Sequence, residues 1–557
     1  MKKINRLFIY TFFLKSKKIH HFFCLSSILL GLTKYLSFQD GIYNAQIISK
    51  IIPYKTNDIM FQWGSSLWSI IVQFSGLLLR IGLNEIILSC LLSVLIIYIS
   101  LNALYTLGKT LKLKHEDALL LSYSCIFCKF YLWGFGYEVS FVSWELFNST
   151  LGQVGFLFSL FSISLLLSPN SKKPMSFVVP FAFCIHPFFA LFPFLLFTTL
   201  IFLKKINIDY KMFMLGSLLT VTSFLIHIYL KPNPINEVLS VNIDLSNFIR
   251  NWDEHRGISL FNKPSRIFFI LLGLCLASFS RLKNIKYTCL YILSIALFII
   301  LFILIKTNLY FQFNFIAMIM PEKLLNFGYF IGGFMYLAFA FKIIPTWLNA
   351  ITLSVFFVLD TYYSFSVWNN YLFLIFIIIF LLILGIHFLP SQFKTLRHET
   401  LIPFLIIIPI HLHSVINNRW EVIHNELKLA NKVSFNDYIV VSPLHKGSYV
   451  QFLSRSKILF DPTELSDIPY SLSSAQKSFE IMKNIYNVDI TEDSYLNIKD
   501  NHWITHIKNT WQNRQVNDWL KLSQKYNFSY LLVPPDWDID YLKVEYKNSQ
   551  YKLLKIR

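Results

Sequence analysis

Charged side chains are scarce in this chain. Asp, Glu, Lys and Arg make up only 15% of its 557 residues, 55% are hydrophobic, and the mean hydropathy is +0.52. That balance excludes an ordinary soluble domain, and it equally excludes a disordered chain, which needs high charge and few apolar groups. Cysteine supplies no framework: Cys24, Cys90, Cys125, Cys128, Cys184, Cys275 and Cys289 all lie in or beside apolar runs, and the tail of about 140 residues has none. Cys125 and Cys128 form a CxxC, but a single pair inside an apolar run reads as packing rather than as a metal or redox site. The tail also lacks GxGxxG, a Walker loop, HExxH and GxSxG, so nothing supports independent catalysis there. Near the start, Lys2, Lys3, Arg6, Lys15, Lys17 and Lys18 precede an apolar run without a small-residue cleavage site, which reads as a first membrane anchor.

What is present is a series of apolar segments separated by short polar loops, followed by a polar tail. Segments such as Ile86–Tyr105, Tyr371–Leu389 and Leu401–Val415 approach the ~20 residues needed to cross ~30 Å of hydrocarbon. The formal net charge of +19 is not a nucleic-acid signature: from Asn417 onward there are 18 Lys and Arg against 16 Asp and Glu, so nearly all the excess precedes the tail. It sits in alternate loops, as positive-inside bias requires, and no nucleic-acid partner is expected.

With the amino terminus in the cytoplasm, His21–Leu36 goes out, and residues 37–64 form a first outer loop. Ser65–Leu83 is ambiguous, because Gln73 and Arg80 interrupt it. If it crosses, Lys109, Lys112 and Lys114 fall outside; if it lies along the interface, they fall inside, and the positive-inside rule favours the interfacial reading. Ile86–Leu107 then returns, Ala118–Phe135 exits and Ser149–Leu167 returns to Lys172 and Lys173. Because Lys204 and Lys205 also belong inside, Ser176–Leu203 reads as two short helices meeting near the outer surface, broken at His186-Pro187 or Pro193. Met212–Leu230, Arg266–Ser280, Tyr287–Ile305, Leu324–Phe341, Ile343–Leu359, Tyr371–Leu389 and Leu401–Val415 complete about thirteen transmembrane helices. The expected fold is thus an α-helical polytopic membrane domain, residues 1–416, with outer loops at 37–64 and 231–264, and a small extracytoplasmic α/β soluble domain, residues 417–557. A bacterial plasma membrane is the expected location.

Within the tail, Tyr438–Ser442, Lys457–Phe460 and Tyr530–Val533 are short apolar runs bounded by Pro or Asp, the pattern of buried strands. Ser473–Tyr486 and Asp518–Lys525 have helical spacing, and Val544–Ile556 alternates like a terminal hairpin. Strand-helix alternation predicts a small layered α/β domain, for which a lid or acceptor-recognition role is expected.

Ionisable groups in or beside lipid are costly, so a set of them on one side is a functional-site hypothesis. Asp40, directly after the first span, suits either taking a proton from an acceptor hydroxyl or binding a divalent cation such as Mg or Mn. Asp58 has the setting of a turn acid. Glu138 and Glu145, the latter beside Trp144, lie on the same expected side; Trp beside an acid is a common belt anchor and also a pairing that packs and hydrogen-bonds a sugar ring. His186 sits within an apolar segment, where Pro187 frees backbone groups. The loop 231–264 carries Asn251-Trp252-Asp253-Glu254-His255-Arg256-Gly257, in which the planar fork of Arg256 suits phosphate oxygens and His255 suits a diphosphate or a proton transfer.

On these features the chain resembles the membrane glycosyltransferases of the GT-C type. The likeness rests on an acid in the first outer loop (Asp40, with Asp58 second), the interfacial stretch Ser65–Leu83 and a soluble domain at the end. It is also similar to bacterial membrane proteins of this class whose tails carry a pattern like Phe452-Leu453-Ser454-Arg455-Ser456-Lys457 leading to Phe460-Asp461-Pro462, and a segment like Lys525-Tyr526-Asn527-Phe528-Ser529-Tyr530. One departure is plain: Gln39 precedes Asp40, so the acidic doublet of several such families is missing. The resemblance implies a sugar donor on a polyprenyl phosphate or diphosphate, membrane lipids as surroundings, and a glycan, lipid or protein acceptor. It further implies that Asp40 deprotonates or orients the acceptor hydroxyl, while Arg256, His255 and His186 neutralise the leaving phosphate. A polymerase or ligase of lipid-linked glycans would use similar spans; a transporter or flippase would use the polar groups as a pathway and often shows internal repeats, which are not evident between the halves.

Overall fold

The computed structural model describes residues 23–28, 39–127, 151–230, 264–279, 285–307, 321–343, 436–490 and 502–557, apart from residues 170 and 540, with scattered others such as Phe248, Trp252, Asn349 and Leu429. The expected spans His21–Leu36 (beyond residues 23–28 and Gly31), Ile343–Leu359 (beyond Ile343 and a few residues to Asn349), Tyr371–Leu389 and Leu401–Val415 lie outside the described residues, as do Cys128 and the expected domain boundary at 416/417.

The chain is an integral membrane protein of packed helices with an α/β domain on one end. Helices α1 (Gln39–Ile48), α2 (Ile59–Ser66) and α3 (Ile70–Arg80) come first. The stretch Ser65–Leu83 is therefore not one continuous helix: α3 has 11 residues, about 16 Å of rise and half of what a span needs. It buries Val72, Ser75, Gly76 and Leu79 on one face and leaves Phe74, Leu77 and Ile81 exposed. Gly76 is what lets it lie close: a Cβ there would stand 3.3 Å from the Ala45 carbonyl of α1.

Among the described residues, three helices are long and apolar enough to cross: α4 (Glu85–Thr110, 26 residues), α9 (Tyr210–Leu230, 21 residues) and α11 (Ile285–Lys306, 22 residues). Packed with them are α5 (His115–Phe127), α6 (Leu151–Leu167), α7 (Lys172–Ile185), α8 (Pro187–Phe202), α10 (Pro264–Phe279) and α12 (Leu325–Ile343). Of the two places where the sequence allows a break, the chain uses His186-Pro187, and Pro193 lies inside α8. His186 is extended (φ −156°, ψ 103°), as the residue before proline prefers, and Pro187 opens α8 at a position where no N–H is required. A rigid aromatic cluster fills the space beside this break, with Phe156 and Phe327 stacked at 4.7 Å and Phe192 on Phe327 at 5.2 Å. Helix α9 buries almost nothing except Gly216 and Ser223, so its apolar surface faces the lipid side of the bundle.

In the tail, β1 (Tyr438–Val441), β2 (Lys457–Phe460), β3 (Tyr530–Val533), β4 (Lys543–Lys547) and β5 (Lys552–Lys555) form one sheet in the order β2-β1-β3-β5-β4. The first three run parallel, and the β4-β5 hairpin closes it antiparallel. Helices α13 (Gly447–Ser454), α14 (Leu472–Tyr486), α15 (His502–Asn513) and α16 (Val516–Tyr526) cover it. Alternate strand residues face opposite sides. Ile439, Val441, Ile458, Leu532 and Leu553 build one small core, and Val440, Phe460, Leu531, Val533 and Leu554 the other. The second core does not stop at the domain. It continues through Tyr43, Ile47, Ile52, Ile59, Met60 and Trp63 of residues 39–66, and Leu304 and Ile305 at the end of α11 pack against it.

Candidate functional site

The two ends of the bundle differ in chemistry. At one end, Thr110 at the close of α4 bonds Tyr287 at the start of α11 (2.6 Å), and Lys286 donates to the carbonyls of Leu166 (2.7 Å) and Ser168 (3.1 Å). The Asp209 amide donates to Ser176 Oγ, tying the start of α9 to the start of α7, and Thr346 beyond α12 reaches Asp117 near the start of α5. Lys109, Lys112, Lys114, Lys172, Lys173, Lys204, Lys205, Lys286 and Lys342 all belong to this end. The opposite end carries α1, α2, the start of α4, the His186 break, the 3-10 turn Pro321–Leu324 and the α/β domain.

Asp40 occupies the first turn of α1; its side chain is outside the described set. Asp58 stands at the N-cap position of α2 without capping it. Its Oδ2 instead accepts from the Lys55 amide (2.7 Å) and from the Tyr438 hydroxyl of β1 (2.7 Å). Burial, with the bond to Asp58, holds the Tyr438 phenol protonated well above its ordinary range, and Lys457 lies 5.3 Å from its ring centre. This acid therefore fastens the tail to the segment of residues 39–66. Around it, Trp63 Nε1 donates to Ser474 Oγ (3.0 Å) and Lys477 Nζ to the Asn57 carbonyl (2.9 Å).

A second polar junction lies deeper; Arg455 belongs to the tail pattern noted in the sequence, but nothing there marked Glu85, Gln46 or Gln451 as its partners. Glu85, 5% exposed at the first position of α4, accepts from Arg455 Nε at 2.8 Å through Oε1 and from Nη2 at 3.0 Å through Oε2. This two-point fork also raises the guanidinium's proton affinity further. Gln46 of α1 donates to the same Oε1 (3.1 Å) and to the Phe452 carbonyl (2.9 Å), and accepts from Gln451 Nε2 (3.4 Å). Tyr54 bridges from the other side, donating to Gln451 Oε1 (2.6 Å) and accepting from the Ile458 amide (2.7 Å).

His186 packs against α6 at Gly155, where a Cβ would come within 2.3 Å of its own Cβ, and it accepts weakly from the Phe189 amide (3.5 Å). Among the described residues, Lys323 is close enough to act on it electrostatically. Trp252, from the loop holding His255 and Arg256, is buried in the tail edge-to-face with Trp503 at 5.9 Å, and Phe248 meets Phe479 at 5.9 Å. Glu138, Trp144, Glu145, His255 and Arg256 themselves lie outside the described residues. Among the described residues no three of His, Cys, Asp and Glu gather to hold a metal ion.

The class defined by this architecture is a polytopic helical membrane protein whose C-terminal α/β domain shares a core with the first loop of the bundle. No protein-family model matches the chain, and no curated protein matches it by sequence. Among solved structures, it is similar in overall path to ArnT from Cupriavidus metallidurans, over 97% of this chain and 97% of that one. The apo-state crystal structure matches with 11% identity and a TM-score of 0.49, and the one bound to undecaprenyl phosphate with 9% identity and a TM-score of 0.49. Likeness at this level assigns no residue a role.

Proposed function

We infer that the chain is a membrane glycosyltransferase that moves a sugar from a polyprenyl-phosphate-type lipid to an acceptor hydroxyl at the outer membrane face. The observation that carries this reading is the sorting of the two ends. Nine lysines gather where positive-inside bias puts the cytoplasm, while Asp40, Asp58, His186, Lys323 and the α/β domain share the other end. A lipid-linked donor needs such an arrangement: spans to receive the lipid chain and cations at one surface for its phosphate.

In the proposed step the acceptor oxygen bonds to the anomeric carbon, and the bond from that carbon to the phosphate oxygen breaks. Asp40 takes the acceptor proton and later releases it to water. The departing polyprenyl phosphate gains negative charge, which Arg256, His255 and His186 stabilise where it develops. Glu138, Trp144 and Glu145 hold the sugar ring. Should a divalent cation such as Mg or Mn take part, Asp40 is the residue expected to hold it, and it would supply charge at the phosphate. Asp58, already engaged by Tyr438 and Lys55, belongs to docking.

Asp40→Asn tests the assignment. The change is nearly isosteric and removes only the charge, so transfer from a polyprenyl-phosphate sugar in detergent or liposomes should fall by a factor of about a hundred or more, with donor binding retained. Transfer at the wild-type rate removes Asp40 from the mechanism.

A further inference from the structure

The junction of Gln46, Glu85, Gln451 and Arg455 is unusual for its cost. A carboxylate withdrawn from water is destabilising unless it is paired and fully hydrogen-bonded, and an apolar replacement of the same shape is often as stable or more so. Adhesion alone does not need it: Tyr43, Ile47, Met60 and Trp63 already give the tail an apolar seat. What polar groups add is direction. Gln46 and Gln451 are fully buried, and Gln46 has one bond to α4, one to the backbone of α13 and one to the side chain of Gln451. Apolar contacts tolerate a turn of the helix about its axis; these three bonds do not.

Helix α1 has 10 residues, with Asp40 in its first turn and Gln46 six residues on, about 9 Å along the axis. Over so short a helix, fixing Gln46 fixes Asp40. Lys50 at its far end adopts φ 59°, and Arg80 Nε donates to the Ser49 carbonyl there at 2.8 Å, so that end is anchored as well.

We propose that Glu85 is a positioning residue: held by Arg455, it sets the rotation and height of α1 through Gln46, and thereby places Asp40. The α/β domain thus contributes Arg455, Gln451 and the Phe452 carbonyl to the alignment of a group it does not itself carry. The proposal rests on the assignment of Asp40 above.

The test uses the full chain with Glu85→Gln and Arg455→Lys. Two quantities are read: transfer kinetics, and hydrogen–deuterium exchange of the peptide over residues 39–48. Displacement of a reacting group by about an ångström lowers rates by up to about a hundredfold. Glu85→Gln should therefore lower kcat roughly ten- to hundredfold, with KM for the lipid donor within about threefold. Exchange over 39–48 should rise, while β1 and β3 stay protected. Arg455→Lys keeps the charge but loses the fork, so it should fall between wild type and Glu85→Gln in both readouts. Being half-exposed, it carries the test if Glu85→Gln does not fold. Unchanged exchange over 39–48, or raised exchange with wild-type kcat, overturns the proposal, as does a matching loss of protection throughout the tail in Arg455→Lys. Wild-type transfer in Asp40→Asn would instead sink the catalytic assignment and leave the exchange result standing.

Discussion

Among single residues, Asp58 shows how setting decides role. In sequence it looked like a turn acid in Lys55-Thr56-Asn57-Asp58, a second candidate beside Asp40. Folded, its Oδ2 accepts from Tyr438, 380 residues away. A hydrogen bond to a charged group contributes about 1.5–3 kcal/mol. Tyr438→Phe should accordingly lower the stability of the purified protein by that amount, read from its thermal or denaturant transition. The same variant separates docking from catalysis. If Asp58 serves docking, Asp58→Asn and Tyr438→Phe reduce transfer to a similar, modest extent; a loss in Asp58→Asn tenfold beyond that in Tyr438→Phe would make it a reacting group. Glu85 was silent in the sequence for a related reason. Asn84 caps α4, accepting from the Ile86 amide at 2.8 Å, and an acid just after a cap is ordinary, since it faces the positive end of the helix dipole. Only Arg455, 370 residues on, turns it into a junction.

Local elements were far more legible than their partners. Strands β1, β2 and β3 coincide with the apolar runs that announced them, because strands buried on both faces read as continuous apolar stretches. The break between α7 and α8 was equally visible, since the residue before proline leaves the helical region. Helix α15 was not foreseen: His502–Asn513 is mostly polar, and its buried set of Trp503, Ile507 and Trp511 is only a thin stripe at four-residue spacing. Close helix approach was also hidden. Helix α9 meets α7 at Gly216, where a Cβ would stand 2.4 Å from the Phe177 carbonyl oxygen. Backbone does not yield as a side-chain end does, so Gly216→Ala should push α9 outward and lower stability by about 1–3 kcal/mol. Thermal unfolding in detergent checks this, with Leu218→Ala on the exposed face of α9 as a control expected to change little.

For the whole molecule, the domain division drawn from composition describes the chain's order better than its packing. The tail's larger core includes Tyr43, Met60 and Trp63 from residues 39–66, so the sheet and that segment are one structural unit. Hydropathy falls sharply between bundle and tail, which made the tail's existence clear; the shared core brings Tyr54 against Tyr438 and Trp63 against Phe460, pairs far apart in the chain, and leaves no local trace. Lysine placement obeys a rule of insertion rather than of packing, and the nine lysines from Lys109 to Lys342 named above belong to one end of the bundle, the distribution that rule expects of a single side.

Everything assigned to the site requires that the opposite end face away from the cytoplasm. The direct measurement is labelling with a membrane-impermeant thiol reagent in intact cells, or in spheroplasts where an outer membrane intervenes. Single cysteines replace Lys521, exposed on α16 of the tail, and Lys114, exposed between α4 and α5; the native chain, with its cysteines in or beside apolar segments, supplies the background. The account predicts that Lys521→Cys labels in intact cells, and that Lys114→Cys labels only after the membrane is opened. Labelling of Lys114→Cys alone in intact cells would contradict it, placing the lysines outside and the proposed site in the cytoplasm.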